Sequence, residues 1–355
     1  MTVTFMIGNG FDINCGLKCS YRDVCAGYSK TESKSEVIAE FKKKIDKDLD
    51  TWADFEMAMN KYMSNFKSEG DFLLCVRDFK AYMVEHLRNE EKAFFNDPRA
   101  KRIKNYDAIL HTEMYTSLDT FYDGISHNVS SILHDDLEKT YYFITFNYTK
   151  LIDQLLDQTQ LSSGIVHIHG TLDDAPVVGI DNESQFRNDL TYEVSKRTLR
   201  EFVKPYFNQE YDSMRVFATE KIIEVSNVIC VYGMSLGESD LTWRKQIIEW
   251  LKADKKHRLF LYSYDCSCKK YSSVPERMDM EDEEKELFLQ RMGVDETTAK
   301  NLFDRIHIPI GKNIFNIKRA IDDGYKAQIE SDAKKEEIRK KLKDQSVGSL
   351  QSVGA

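Results

Sequence analysis

The chain has 355 residues, of which 50 are basic, 59 acidic and 41 % apolar, giving a net charge of −9. That is enough apolar mass for a sizeable core, arranged as two domains or as one α/β domain with a large insertion. No apolar run reaches the roughly 18 residues of a membrane span, and an acidic chain without a basic stripe gives no support to a nucleic-acid grip.

The opening stretch, MTVTFMIGNGFD, carries neither a basic leader nor a small-residue cleavage site, so no secretory signal is expected. Val3 to Ile7 is a short apolar run closed by Gly8-Asn9-Gly10, as in a buried parallel strand. Ser20 can cap a helix entered at Tyr21. From about residue 34 to 137 the pattern is helical. Trp52, Phe55, Met59 and Tyr62 draw one apolar stripe; Phe72, Val76, Phe79 and Met83 a second; Met114, Leu118, Phe121 and Ile125 a third. This reads as a helical insertion between the first and second strands.

Strand signals return at Tyr141–Phe146, Gly164–Ile168, Pro176–Ile180, Asn227–Tyr232 and Arg258–Tyr264. Helices are expected at Leu151–Leu156 and around Trp243–Leu251. Short strands alternating with helices predict an α/β fold, a doubly wound, mostly parallel, Rossmann-type sheet over residues 1–330. One more helix is expected within 311–330. Beyond it, the charged segment 331–355 is expected as a solvated helix that frays into a disordered tail. The seven cysteines, Cys15, Cys19, Cys25, Cys75, Cys230, Cys266 and Cys268, form no CxxC pair. An odd count without zinc spacing points to a reducing, cytoplasmic setting and no metal.

Ligands of open parallel sheets bind beyond the carboxyl ends of the strands, and four clusters follow the runs there. In Gly8-Asn9-Gly10-Phe11-Asp12, the glycines would let backbone N–H groups approach a phosphate; a plain turn with Asp12 capping a helix is the alternative. Thr145-Phe146-Asn147 ends the second strand, and an Asn there is commonly a turn or cap residue. His167 and His169 stand two apart, on one side if the strand continues; they could be a metal pair, a strand-end base with Gly170 leaving room for a ligand, or packing residues. Gly233-Met234-Ser235-Leu236-Gly237 has the outline of a nucleophile elbow, but the only histidines after it, His257 in KKHR and His307 in an apolar run, are poor triad partners.

Taken in order, IGNGFD, WADFE, TFNYT, HIHG and YGMSLGESD resemble the AbiH family of bacteriophage abortive-infection proteins over about residues 3–255. The same series resembles a distant sirtuin-type NAD-binding fold. That resemblance implies a phosphate loop at Gly8 and Gly10 with Asn9, Phe11 and Asp12, an Asn motif at Thr145 and Asn147, a catalytic His169 beside Gly170, and a ribose loop at Gly233, Ser235 and Leu236. Sirtuin-type sequences carry an acid two residues after the Asn, where this chain has Thr149, and deacylating members carry a four-cysteine zinc module that it lacks.

The resemblance therefore implies a phage-defence effector that cleaves the N-glycosidic bond of NAD, with NAD as substrate and no further cofactor. Asn can hold a ribose hydroxyl or a water through its amide, and His titrates near working pH. Asn147 is thus expected to position and His169 to act as general base. The alternatives are a non-catalytic NAD or ADP-ribose sensor, and an interaction module. A homo-oligomer or a defence-system partner is expected, with self-association through the helical region.

Overall fold

The computed structural model describes residues 1–102, 139–156, 162–174, 176–186, 189–211, 213–234, 236, 240–262, 273–308, 315 and 317–351. Its strands are β1 (Thr2–Ile7), β2 (Thr140–Thr145), β3 (Ser162–His167), β4 (Val228–Tyr232), β5 (Arg258–Tyr262) and β6 (Ile306–His307). Its helices are α1 (Gly10–Cys15), α2 (Tyr21–Tyr28), α3 (Glu36–Lys47), α4 (Phe55–Tyr62), α5 (Glu69–Asn96), α6 (Pro98–Arg102), α7 (Leu151–Leu156), α8 (Lys196–Phe202), α9 (Lys204–Tyr211), α10 (Ser213–Val225), α11 (Leu241–Ala253), α12 (Val274–Arg291), α13 (Glu296–Phe303) and α14 (Ile317–Gln351).

The six strands form one all-parallel sheet in the order β3-β2-β1-β4-β5-β6. Both faces are covered, which is why β1 and β4 read as continuous apolar runs: every residue of β4 is buried. One face packs Phe5, Phe143 and Phe260 against Phe11, Leu155 and Phe315. The other packs Met6, Ile144 and Ile229 against Trp243, Ile247 and Leu251. The expected Rossmann-type α/β sheet is observed.

The strand order turns back between β1 and β4: from β1 the chain builds outward to β2 and β3, then returns to β4 and builds the other way. Loops leaving a sheet at such a point diverge and open a crevice. Register brings four strand ends level there, with Ile7 paired to Thr145 and Tyr232, and Thr145 paired to His167.

The helix expected at Tyr21 is α2, held by a capping box between Ser20 and Asp23. Trp52, Phe55 and Met59 are buried, as are Phe72, Val76, Phe79 and Met83. The stripe at Met114, Leu118, Phe121 and Ile125 lies outside the described residues. The helical region does not fold upon itself alone: its core includes Leu172, Val178, Ile180, Phe202 and Val203 from the β3–β4 connection.

That packing corrects the strand expected at Pro176–Ile180. The segment is apolar because it is buried in the helical lobe. Its backbone is satisfied locally: Val177 N donates to His169 O at 3.0 Å, Gly179 N to the Glu56 carboxylate at 3.1 Å, and Ile180 N to Phe202 O at 2.9 Å. At the carboxyl side, α14 stays helical to Gln351, and its residues 331–340 are exposed.

Candidate functional site

A cavity of about 270 Å³ opens at the carboxyl ends of β1, β2, β3 and β4, where the strand order reverses. Gly8, Asn9 and Asp12 reach it from β1, Asn147 and Thr149 from β2, His169 from β3, and Gly233 from β4. The helical lobe closes the opposite side with Tyr21 of α2, Glu56 of α4 and Met83 of α5. The insertion is therefore a wall of the site.

Asp12 is 2 % exposed and lies in the first turn of α1, too far into the helix to cap it. Its carboxylate instead accepts from Asn147 Nδ2 at 2.9 Å and from Thr149 Oγ1 at 2.5 Å. Burial pushes its pKa up to about 7, against those two bonds, which pull it down. The alternative of a capping Asp12 is set aside by this geometry. Thr149, where the resemblance led one to look for an acid, is the hydroxyl partner of an acid that comes from β1.

Asn147 is 5 % exposed and tightly held. Its N–H donates to Thr145 Oγ1 at 3.1 Å. Its carbonyl faces His167 Nδ1 at 3.1 Å, and His167 Nε2 lies 2.7 Å from Asp153 Oδ2. With Nδ2 committed to Asp12, the amide Oδ1 is buried without a hydrogen-bond partner. An unsatisfied buried acceptor is costly, and this one lies on the cleft residue that was expected to position a substrate.

The two histidines part company because β3 ends at His167, so alternation does not carry to His169. His167 is spent on Asn147 and Asp153, while His169 lines the cavity, with its ring edge-on to Phe146 at 5.3 Å between centroids. Burial, with Lys204 nearby, holds the His169 imidazole well below its ordinary pKa. It is neutral at working pH. Gly170 does not make room for a ligand; its φ of +78° and the Asp174 carbonyl, 2.9 Å from where a Cβ would stand, demand glycine for the turn.

The glycine loop also differs from the expectation. Gly8 N donates to Tyr232 O at 2.9 Å, Gly10 N to Gly233 O at 2.9 Å and Phe11 N to Gly8 O at 3.0 Å, so these N–H groups are not offered to a phosphate. The glycines serve backbone approach. A Cβ at Gly8 would stand 2.5 Å from Gly233 O, and one at Gly10 would stand 2.5 Å from Gly233 Cα. Phe11 points into the core, 5.7 Å from Phe315. Thr145 supports Asn147 from behind, and Leu236 is buried at a φ of 48° in the core beneath. Ser235 lies outside the described residues. His257, at the amino end of β5, stacks on Trp250, and His307 stacks on Phe260, so neither faces the cleft.

Sequence reasoning did not single out Glu56 or Lys204. Glu56 accepts from Tyr21 at 2.9 Å and from Lys204 Nζ at 2.8 Å, with both partners of the ion pair buried. Burial alone would lower the Lys204 ammonium pKa. The carboxylate of Glu56, with Tyr148 and Asp181 nearby, outweighs it and holds the group above its ordinary value. The signal available was Glu56 inside WADFE. Among the described residues no group of His, Cys, Asp and Glu is placed to hold a metal, and no helix is long and apolar enough to cross a membrane.

Residues 4–262 match the model of the family Bacteriophage abortive infection AbiH, and the chain belongs to that family. The match runs from β1 to the end of β5 and so takes in every strand that lines the cleft. A comparison with curated proteins finds no match.

Proposed function

We propose that this AbiH-family chain is an abortive-infection effector that hydrolyses the N-glycosidic bond of NAD and releases nicotinamide. The observation that carries the reading is the unpartnered Oδ1 of Asn147, buried at a switch-point cleft beside His169. In the reaction, the C1′–N bond breaks and its electron pair neutralises the pyridinium ring. A water oxygen then bonds to C1′ and loses a proton. Positive charge is spread over the ribosyl group in the transition state, so carboxylates around it help and cations hinder. Asp12 and Glu56 line the cleft, and Lys204, the cation among its described lining residues, is already paired to Glu56.

Asn147 Oδ1 accepts a hydrogen bond from the water or from a ribose hydroxyl. His169, kept neutral, receives the proton. A water already bonded to a carbocation is a strong acid, so a weakly basic imidazole is sufficient. The cavity, just under the roughly 300 Å³ of the smaller ligand pockets, suits the nicotinamide-ribose half, with the diphosphate towards the mouth. Purified protein incubated with NAD is expected to release nicotinamide, followed by chromatography, and His169→Ala and Asn147→Ala are expected to abolish it. Full activity in both variants refutes the assignment.

The depressed basicity of His169 is the one feature that favours a second reading, a non-catalytic NAD or ADP-ribose sensor. Calorimetry showing tight binding without turnover would select it. Assembly through the helical lobe remains part of the proposal as the gate on activity, and a concentration-independent monomer in light scattering, in the active state, removes it.

A further inference from the structure

Asn147 is held at its backbone on both sides. Its backbone N–H is donated to Thr145 Oγ1, and its carbonyl lies 3.1 Å from His167 Nδ1, whose other ring nitrogen lies 2.7 Å from Asp153 Oδ2. Its side-chain amide is left to turn. Amide rotation about the last side-chain bond exchanges oxygen for nitrogen with little change in shape. What orients it is the hydrogen bond it makes to Asp12. A carboxylate only accepts, so it draws Nδ2 towards itself and leaves Oδ1 buried without a hydrogen-bond partner, on a residue that lines the cleft.

We propose that Asp12 is the positioning residue of this cleft: it sets which end of the Asn147 amide faces the ligand, and so whether the site offers an acceptor or a donor at that point. When the carboxyl carries a proton, its O–H donates to Oδ1, the amide turns over, and Nδ2 faces the cleft. An acceptor suits a ribose hydroxyl or an attacking water; a donor does not hold either in the same sense. The inference deepens the reading of Asn147 given above and rests on it for its catalytic consequence, but the amide switch itself needs no substrate.

The surroundings allow the exchange near neutrality. Burial holds Asp12 protonated up to about pH 7, with Glu91 of α5 acting in the same direction and His167 of β3 opposing it. The thiols of Cys15 and Cys19 also face it, and both are held in their neutral form by burial first and by Asp12 second. Thr149 is the local brake, since its hydroxyl donates to the ionised form and pulls the midpoint down. The sign follows. Above about pH 7 the carboxylate is ionised and the acceptor faces the cleft. As pH falls through that value the acceptor is withdrawn, and the rate is expected to fall about tenfold per pH unit.

The test is NMR of the assigned Asn147 side-chain amide in the free protein between pH 5.5 and 8.5, alongside nicotinamide release over the same range. In the wild type the Asn147 NH₂ signals are expected to move with one midpoint near neutrality. In Asp12→Asn, whose side chain can meet either end of the amide, they are expected to stay still; the acid limb of the rate disappears, and the rate at pH 8 is about twofold lower because about half the amides face the wrong way. Thr149→Val is expected to move the midpoint upward. Signals that do not titrate in the wild type overturn the inference, and so does movement that survives in Asp12→Asn. Should Asp12→Asn not fold, an unmoved midpoint in Thr149→Val overturns it. A titrating amide in a protein that releases no nicotinamide leaves the inference standing and defeats the NAD-cleavage reading instead.

Discussion

Asp12→Asn is expected to stabilise the protein in alkaline solution. The folded carboxyl titrates at about 7, against an ordinary value of 3.8. A carboxyl whose pKa is raised by folding contributes stability that is fully present below about 3.8 and is lost as pH rises through about 7. The whole span is about three pH units at about 1.4 kcal/mol each, on the order of 4 kcal/mol, of which about 3 kcal/mol falls between pH 5 and pH 8. Asparagine does not ionise and escapes that loss. It keeps one acceptor for Thr149 or Asn147 and exchanges the other for a donor, a change of about 1 kcal/mol either way. Urea unfolding at pH 5 and pH 8 reads the difference directly. Between those conditions the wild type is expected to lose about 3 kcal/mol more than the variant, which becomes the more stable of the two at pH 8. Parallel pH dependences would show that burial does not hold Asp12 protonated, and the reasoning about its environment would fall with them.

Glu56→Gln leaves the Lys204 ammonium buried without its counter-charge and is expected to cost about 3–5 kcal/mol in urea unfolding, while adding Lys204→Met recovers most of the loss. Gly10→Ala sets a methyl 2.5 Å from the Gly233 backbone, with no flexible side chain to yield. It is expected to destabilise by at least about 2 kcal/mol, seen as a lowered urea midpoint; an unchanged midpoint would mean that the β1 and β4 loops do not hold each other as closely as the backbone places them.

Much of the sheet was legible because parallel strands covered on both faces read as near-continuous apolar runs, and β1, β2, β4 and β5 each contain one. The same rule misleads at Pro176–Ile180. Burial makes a segment apolar whatever its hydrogen bonds do, and here the backbone partners are Glu56, His169 and Phe202, which no window of sequence places beside it. The helical stripes were legible in the same way, but not where they pack. Their cover comes from residues 172–203, a hundred positions further along in part of its length, and only the folded chain joins the two.

The chemistry of the cleft divides along a similar line. Asn147 and His169 could be found because a residue at the end of a parallel strand is level with its neighbours' ends once the register is set. Glu56 and Lys204 could not, since the pair joins positions 148 apart across two different elements. The GxG loop shows the deeper difficulty. Spacing reveals that a backbone is approached closely at Gly8 and Gly10, but not by what. A phosphate and a second glycine loop make the same demand on Cβ, and in this chain Gly233 answers it. What the cleft holds is a buried oxygen on Asn147 without a hydrogen-bond partner, on an amide bonded to the Asp12 carboxylate of α1. On the NAD-cleavage proposal, a ribose hydroxyl is the donor that would meet this acceptor.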